Sequence, residues 1–143
     1  MPTKSNQDHI ETQMRKQKRL SFITEGHRGI FFGINNTLES FRSSIELGLQ
    51  SIELDTFVSK DGHVVVIHGD DDDKIEFLGE NIAIAELTLK ELKQYNLENG
   101  LKIPMLSEVF ELCKNKIKIN IELKSDQDHL VSKVLELVSQ FEM

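Results

Sequence analysis

The chain has 143 residues, which suits one domain whose core buries roughly 70% of the surface of the unfolded chain. Its 24 acidic residues outnumber 17 basic ones, and the formal net charge of -7 argues against a general nucleic-acid binder, which needs a basic surface. The single cysteine, Cys113, excludes an internal disulfide framework.

No apolar run in the sequence is long enough to span a bilayer, and the N-terminus has no hydrophobic signal region. We therefore expect a cytoplasmic protein, with organelle targeting through the basic residues of the N-terminus left open. Residues 1–20 are predominantly polar and are predicted to form a mobile arm or an exposed helix. A single domain is predicted over residues 21–143.

The first predicted elements are a short strand over 21–26 and a helix that begins after Thr37. The sequence His-Arg-Gly at 27–29 follows the strand. Thr37 is a suitable N-cap, apolar residues then recur at helical spacing, and Gly48 is a suitable end for the helix. Because Ser40 takes the place of the usual Glu or Gln three residues after Thr37, we expect no full capping box.

The stretch from Ser51 to Asp70 predicts two strands joined by a Lys-Asp-Gly turn. In the first strand the apolar side chains point to one face, and Glu53 and Asp55 point to the other. The second strand, at 64–67, is a continuous apolar run typical of a strand buried on both faces, and His68 follows it. Two carboxylates beside a histidine at the next strand end indicate an acidic metal site next to a proton-transfer group.

The remaining chain is predicted to contain helices and one clear strand. The acidic run at 70–73 is predicted to be a solvated loop, since four consecutive carboxylates repel one another and have no fixed geometry. The other predicted elements are a helix over 89–95 capped by Thr88, a helix opened by Pro104 that buries Cys113, a strand over 116–124 and a helix over 126–141.

This order of elements predicts an α/β fold with a mostly parallel sheet, in which ligands bind at the carboxyl ends of the strands. Polar residues gather at or near those ends. They are His27, Arg28, Glu53, Asp55, His68, Glu122 and Lys124. Each pair alone is typical of the solvent face of a strand, but their shared location indicates one site.

Short motifs along the chain resemble those of the glycerophosphodiester phosphodiesterase family, in the family's order. They are His-Arg-Gly (27–29), Asn-Thr-Leu-Glu-Ser-Phe (36–41), Ile-Glu-Leu-Asp (52–55), Lys-Asp-Gly (60–62), Val-Val-Ile-His (65–68), Leu-Thr-Leu-Lys-Glu-Leu (87–92), Lys-Ile-Pro-Met-Leu-Ser-Glu-Val (102–109) and Ile-Glu-Leu-Lys (121–124). Each is weak alone, and the ordered set carries the resemblance.

The resemblance implies a TIM barrel that hydrolyses glycerophosphodiesters to glycerol 3-phosphate and an alcohol. It implies that His27 and His68 serve as acid and base, in either order, and that Arg28 and Lys124 face the phosphate. One such histidine can take a proton from the nucleophile while the other protonates the leaving alkoxide.

The resemblance also implies that Glu53, Asp55 and Glu122 hold a divalent cation, Mg²⁺ or Ca²⁺. Carboxylate oxygens are the hard ligands that both ions prefer. Such an ion polarises the phosphoryl oxygen and stabilises developing negative charge.

The chain departs from the family's pattern at three places. Ile-Asn-Asn-Thr at 34–37 replaces the usual Pro-Glu-Asn-Thr, His68-Gly69 replaces His-Asp, and the acidic run at 70–73 replaces a segment rich in Arg and Thr. The His-Gly pair is similar to that of phosphatidylinositol-specific phospholipase C and of spider-type phospholipase D, which leaves those barrel enzymes as an alternative.

The chain is short for the implied fold, because a TIM barrel has about 250 residues. We therefore expect a partial TIM (β/α) barrel, namely its first half, with open sheet edges that invite self-association or a partner chain. Two hypotheses follow. The chain is a glycerophosphodiesterase that needs the missing half for full activity, or it is a non-catalytic half-barrel interaction module.

Overall fold

The computed structural model describes residues 22–30, 34–124 and 128–143. The strands are β1 (Glu25–His27), β2 (Ser51–Val58), β3 (Val64–Val66), β4 (Lys74–Phe77), β5 (Glu80–Ala83) and β6 (Lys118–Leu123). The helices are α1 (Leu38–Glu46), α2 (Leu89–Gln94), α3 (Leu106–Cys113) and α4 (Asp128–Phe141), with 3-10 turns at Ile84–Glu86 and Glu98–Gly100. The arm predicted over 1–20 lies outside the described residues.

The main sheet is organised around β2. Strand β1 pairs with the start of β2 in parallel, and β6 pairs in parallel with β2 from Ser51 to Thr56 on the opposite side. Strand β3 folds back after the turn and pairs antiparallel with the end of β2. The prediction of an α/β fold with a mostly parallel sheet is thus confirmed.

A first hydrophobic core fills the space between this sheet and helices α1, α3 and α4. Ile52 and Leu54 of β2 are fully buried there against Phe41 of α1, Phe110 of α3 and Leu130 of α4. Burial of each such side chain contributes about 1.5–3 kcal/mol to the free energy of unfolding. Because side chains alternate along a strand, Glu53 and Asp55 lie on the other face of β2, as predicted.

A second hydrophobic core lies between the main sheet and a hairpin formed by β4 and β5. Sequence reasoning missed this hairpin. Ile75 and Phe77 of this hairpin are buried in one cluster with Phe57 of β2. Leu78 and Gly79 form the two-residue turn, with φ of 53° and 82°. The alternation of Ile75 and Phe77 with charged residues, followed by a glycine, was the available signal.

The start of α1 corrects the prediction of an incomplete cap. The Ser40 backbone N–H donates to Thr37 Oγ1 at 3.1 Å, and the Thr37 backbone N–H donates to Ser40 Oγ at 3.1 Å. The prediction was wrong because a serine hydroxyl at this position reaches back as a longer Glu or Gln side chain does. Gly48, with φ of 75°, follows the helix as predicted.

Pro104 does not open α3, contrary to the prediction. Its carbonyl accepts a hydrogen bond from the Val66 backbone N–H at 2.9 Å, so the chain at Pro104 runs extended beside β3. The helix begins two residues later, at Leu106, with Met105 as its N-cap. A proline lacks an N–H, but its carbonyl is free to pair with a strand.

Other predictions on the elements hold with small shifts. The strand predicted over 21–26 spans Glu25–His27, because residues 22–24 are not in a strand, and the strand predicted over 116–124 spans Lys118–Leu123. Cys113 is buried as predicted, and this burial raises the pKa of its thiol to about 11. The side chains of the acidic run at 70–73 are exposed. Within the described ranges, no helix combines the length and the apolar character that a membrane crossing requires.

Candidate active site

The candidate site lies on the face of the main sheet opposite the first core. His27 at the end of β1 pairs with Glu53 of β2, and Glu122 near the end of β6 pairs with Asp55. Strand β2 itself continues to Val58. Glu53 and Asp55 are therefore in the middle of their own strand, contrary to the prediction, and at the level where the parallel neighbours end.

Three carboxylates converge at this level. One oxygen each of Glu53, Asp55 and Glu122 lies within 4.8 Å of the other two. Glu53 and Asp55 are buried, whereas Glu122 is exposed. Glu53 Oε1 and Asp55 Oδ1 are buried and accept no hydrogen bond. Unpartnered buried carboxylate oxygens are costly, so this oxygen-only donor set fits a hard divalent cation such as Mg²⁺ or Ca²⁺.

Asp55 is surrounded by donors and cations. Asn36 Nδ2 donates to Asp55 Oδ2 at 2.9 Å. Arg28 Nε lies 3.0 Å from the same oxygen. This contact is an ion pair without a hydrogen bond from Nε. Burial alone would raise the pKa of Asp55, but the Asn36 hydrogen bond and the charges of Arg28, His68 and Lys124 outweigh it. The pKa of Asp55 therefore lies below its ordinary value.

Glu53 differs from Asp55 in its electrostatic environment. Its Oε2 accepts a hydrogen bond from the Arg28 backbone N–H at 3.1 Å and lies 3.7 Å from His27 Nε2. Burial, together with the nearby charge of Asp55, nonetheless raises the pKa of Glu53. A further positive charge next to Glu53 would favour its charged form.

Lys124 spans the exposed edge of the carboxylate group. Its Nζ lies 2.8 Å from Glu122 Oε1 and 3.4 Å from Asp55 Oδ1. The hydrogen bond to Glu122 and the charge of Asp55 raise the pKa of Lys124, so it is a cation at neutral pH. Arg28 and Lys124 thus approach Asp55 from two sides.

The two histidines lie at the rim of the site. The side chain of His27 is 74% exposed and stands beside Glu53. His68 is also exposed, and it lies close enough for its charge to act on Asp55. A cavity of about 240 Å³ opens beside His68. Its lining residues are Arg28, Asn35, Asn36, Val66, Ile67, His68, Ile75, Tyr95 and Leu97.

All seven residues predicted from the sequence thus lie around one carboxylate group, at the level where β1 and β6 end. The sequence also matches the Glycerophosphoryl diester phosphodiesterase family over residues 27–141. The chain belongs to this family.

Two curated relatives cover most of the chain. It is 32% identical over 142 residues to human "Lysophospholipase D GDPD1", which covers 90% of this chain and 44% of the relative. It is 41% identical over 110 residues to a "Glycerophosphodiester phosphodiesterase" of Caldanaerobacter subterraneus, which covers 69% of this chain and 44% of the relative. The chain therefore spans less than half the length of both relatives.

Two solved structures have a similar fold. One is a putative glycerophosphodiester phosphodiesterase from Galdieria sulphuraria, with a TM-score of 0.75 and 33% identity over 86% of this chain and 55% of that one. The other is a phosphodiesterase from Oleispira antarctica in complex with the product sn-glycerol-3-phosphate. Its TM-score is 0.71, at 26% identity over 82% of this chain and 51% of that one.

Two glycines, one within a family-like motif and one directly after another such motif, occupy positions where a side chain would collide with neighbouring atoms. Gly29 of the His-Arg-Gly motif has φ of 75°, and a Cβ there would collide with Ser40 at the start of α1. Gly69, a departure from the family's His-Asp pattern, would place a Cβ 2.8 Å from the backbone carbon of Asp73. The tight turn through the acidic run therefore explains why a glycine follows His68.

Asn36 is the site residue that sequence reasoning missed. It is buried, contacts Asp55 directly, and adopts a left-handed φ of 55°. The available signal was its place between a site loop and the N-cap Thr37, because asparagine is the non-glycine residue most at ease in that conformation.

Proposed function

We propose that this chain supplies the metal and phosphate centre of an enzyme that hydrolyses glycerophosphodiesters to glycerol 3-phosphate and an alcohol. The observation that carries the proposal is the carboxylate group of Glu53, Asp55 and Glu122, in which two buried oxygens accept no hydrogen bond. Family membership and the product bound to the Oleispira antarctica relative support the substrate class.

Glu53, Asp55 and Glu122 would hold the cation, Mg²⁺ or Ca²⁺. When bound, the cation supplies positive charge that stabilises the charge developing on the phosphoryl oxygens. It would also relieve the mutual repulsion of the three carboxylates. The burial of Glu53 and Asp55 keeps two of the ligands dry, which strengthens the attraction between ion and carboxylate.

Arg28 and Lys124 would neutralise the phosphate of the substrate. A guanidinium and an ammonium at the rim of the site can each donate hydrogen bonds to non-bridging oxygens. Their contacts with Asp55 hold both cations next to the carboxylates. Arg28 and Lys124 would thus direct the diester to the metal site.

His27 and His68 would move the protons of the reaction. One neutral imidazole would accept a proton from the attacking nucleophile, and the other, protonated, would donate one to the leaving alkoxide. Each such transfer contributes typically about 10²–10⁴-fold to the rate. The exposure of both side chains leaves them accessible to a substrate.

The proposal includes a partial barrel. The described residues contain three parallel strands, β1, β2 and β6, whereas a TIM barrel has eight. Leu123 at the end of β6, and Val131 and Leu135 of α4, leave apolar surface exposed on the last strand and helix. We propose that further strand–helix units, in the same chain or in a second one, cover this surface and supply the opposite wall of the site. A non-catalytic module would show the same surface.

The experiment compares the 143-residue chain with a fusion to the remaining portion of the Caldanaerobacter relative. Release of glycerol 3-phosphate from glycerophosphocholine is measured with Mg²⁺ or Ca²⁺. Release of choline from lysophosphatidylcholine is measured in parallel. We expect very weak turnover from the chain alone, because misplacement by about 1 Å costs roughly 10²-fold. We expect clear turnover from the fusion.

His27→Ala and His68→Ala should each abolish turnover by the fusion. The matched control is His63→Ala, since His63 is an exposed histidine on the same β2–β3 unit outside the site. Robust turnover by the chain alone would refute the need for further strands. A fusion that turns over neither substrate would instead favour the non-catalytic module.

A further inference from the structure

Asn36 makes a two-point contact with Asp55. Its Nδ2 donates to Asp55 Oδ2 at 2.9 Å. In return, the Asp55 backbone N–H donates to Asn36 Oδ1, at an N···O distance of 3.4 Å. The side chain of Asn36 is thus tied both to the backbone of β2 and to the carboxylate that projects from it. Asn36 itself is only 3% exposed, so water does not compete for these contacts.

This contact leaves the two oxygens of Asp55 with different surroundings. Oδ2 takes the hydrogen bond of Asn36 and lies 3.0 Å from Arg28 Nε. Oδ1 accepts no hydrogen bond although it is buried. A carboxylate held by one oxygen in this way cannot rotate freely about its χ angles. Its other oxygen, Oδ1, lies 3.4 Å from the Lys124 ammonium and, among the described residues, remains free of hydrogen bonds.

The backbone of Asn36 fixes the donor side of the contact. Its N–H donates to the Arg28 carbonyl at 2.8 Å, and the next residue is Thr37, the N-cap of α1. Its φ of 55° turns the chain between these two anchors. Asn36 therefore connects the turn at Arg28, the start of α1 and the middle of β2.

We propose that Asn36 is a positioning residue that holds Asp55 in the orientation required to bind the divalent cation. This inference rests on the proposed function for the identity of the site. Asn36 does not touch the cation or the substrate in this scheme; it acts through Asp55. Partners of metal ligands that act in this way typically change metal affinity by about 10–100-fold when they are removed.

The test is Ca²⁺ binding by the metal-free chain, measured by isothermal titration calorimetry, for the wild type and Asn36→Gly. Glycine keeps the left-handed backbone and removes the side chain. We expect the variant to fold, as judged by circular dichroism, and to bind Ca²⁺ about tenfold more weakly. Wild-type affinity in the variant would overturn the proposal.

The matched control is Asn99→Gly. Asn99 has φ of 58°, is exposed and lies in the 3-10 turn Glu98–Gly100, outside the main sheet. It undergoes the same backbone change, so its Ca²⁺ affinity should equal that of the wild type. An equal loss in both variants would show a general backbone effect and would overturn the proposal.

Two further outcomes are decisive. If Asn36→Gly does not fold, Asn36→Ser takes its place, because serine fills part of the volume and is too short to reach Asp55. Failure of both to fold would assign Asn36 to the fold and overturn the proposal.

If the wild type binds no Ca²⁺, the proposed function fails. The crystal structure of the glycine variant then decides whether Asn36 orients Asp55. An unchanged Asp55 side chain overturns the inference, and a rotated one supports it.

Discussion

Lys124 Nζ lies 2.8 Å from Glu122 Oε1, so a cation of the protein occupies the rim of the carboxylate group. Asp55 Oδ1 lies 3.4 Å from the same nitrogen. The lysine reduces repulsion among the carboxylates, and a divalent cation would compete with it for the same oxygens. The charge of Lys124 is therefore expected to weaken binding of the metal.

Lys124→Met should bind Ca²⁺ more tightly than the wild type. The substitution removes the competing charge, and an exposed pair of this kind is worth about 0.2–1 kcal/mol, equivalent to at most about a fivefold gain in affinity. Isothermal titration calorimetry measures the change. Lys118→Met, at the other end of β6, is the control and should leave the affinity unaltered. Weaker binding by Lys124→Met would contradict the competition.

Saturating Ca²⁺ or Mg²⁺ should raise the melting temperature of the wild type by several degrees. A ligand at 100 times its Kd adds about 2.7 kcal/mol to the free energy of unfolding. Glu53→Gln with Asp55→Asn should abolish this shift. Asp71→Asn with Asp72→Asn, in the exposed acidic turn, removes the same number of charges and should preserve it. Equal melting temperatures with metal and with chelator would rule out the site.

Two leucines of α4 should differ sharply in their contribution to stability. Leu130 is fully buried in the first core, whereas Leu135 on the same helix is 61% exposed. Leu130→Ala should lower the free energy of unfolding by about 2–5 kcal/mol through lost burial and a cavity. Leu135→Ala should change it by less than about 0.5 kcal/mol. Urea denaturation of both variants checks the difference, and similar losses would mean that α4 packs otherwise.

Glu108 should make stability depend on pH in the acid range. Its Oε2 accepts hydrogen bonds from Lys93 Nζ at 2.6 Å and from the Met105 backbone N–H at 2.7 Å. Burial opposes the effect, but these bonds and the Lys93 charge hold the pKa of Glu108 below its ordinary 4.5. The stabilisation is therefore present above pH 4.5 and is lost as the pH falls through the lower folded pKa.

Glu108→Gln should accordingly be less stable than the wild type at pH 7, by about 0.5–1 kcal/mol for a partly exposed charged pair. The difference should shrink on acidification towards pH 3. Glu111→Gln, at an exposed position of α3, should show no such trend. Urea denaturation at a series of pH values provides the measurement. A stability difference that grows as the pH falls would contradict the lowered pKa of Glu108.

The sequence was sufficient to predict most of the candidate site, because the alternation of side chains along β2 depends only on local backbone geometry. Ile-Glu-Leu-Asp at 52–55 places two carboxylates on one face wherever the strand lies. The same alternation places Glu122 and Lys124 together at the end of β6. Residues of separate strands were joined by the rule that the carboxyl ends of parallel strands meet at one edge of the sheet, and then by the resemblance to the family.

What the sequence could not give depends on contacts between distant segments. The contact of Asn36 with Asp55 joins residues 19 positions apart and depends on a left-handed backbone at Asn36. The local pattern around Pro104 predicts a helix start, but its carbonyl pairs with Val66 of a strand far away in the chain. Local rules for proline and for N-caps do not include such partners, so the sequence alone does not predict these features.

The central place of β2 has a consequence for how the protein opens. From Ser51 to Thr56 the strand is paired with β6, and its other edge pairs with β1 and then β3. Amide protons of such a strand exchange with solvent only when larger parts of the structure unfold. Glu53 and Asp55 therefore sit on the backbone expected to exchange most slowly, and fraying of the sheet edges would leave these two carboxylates in register.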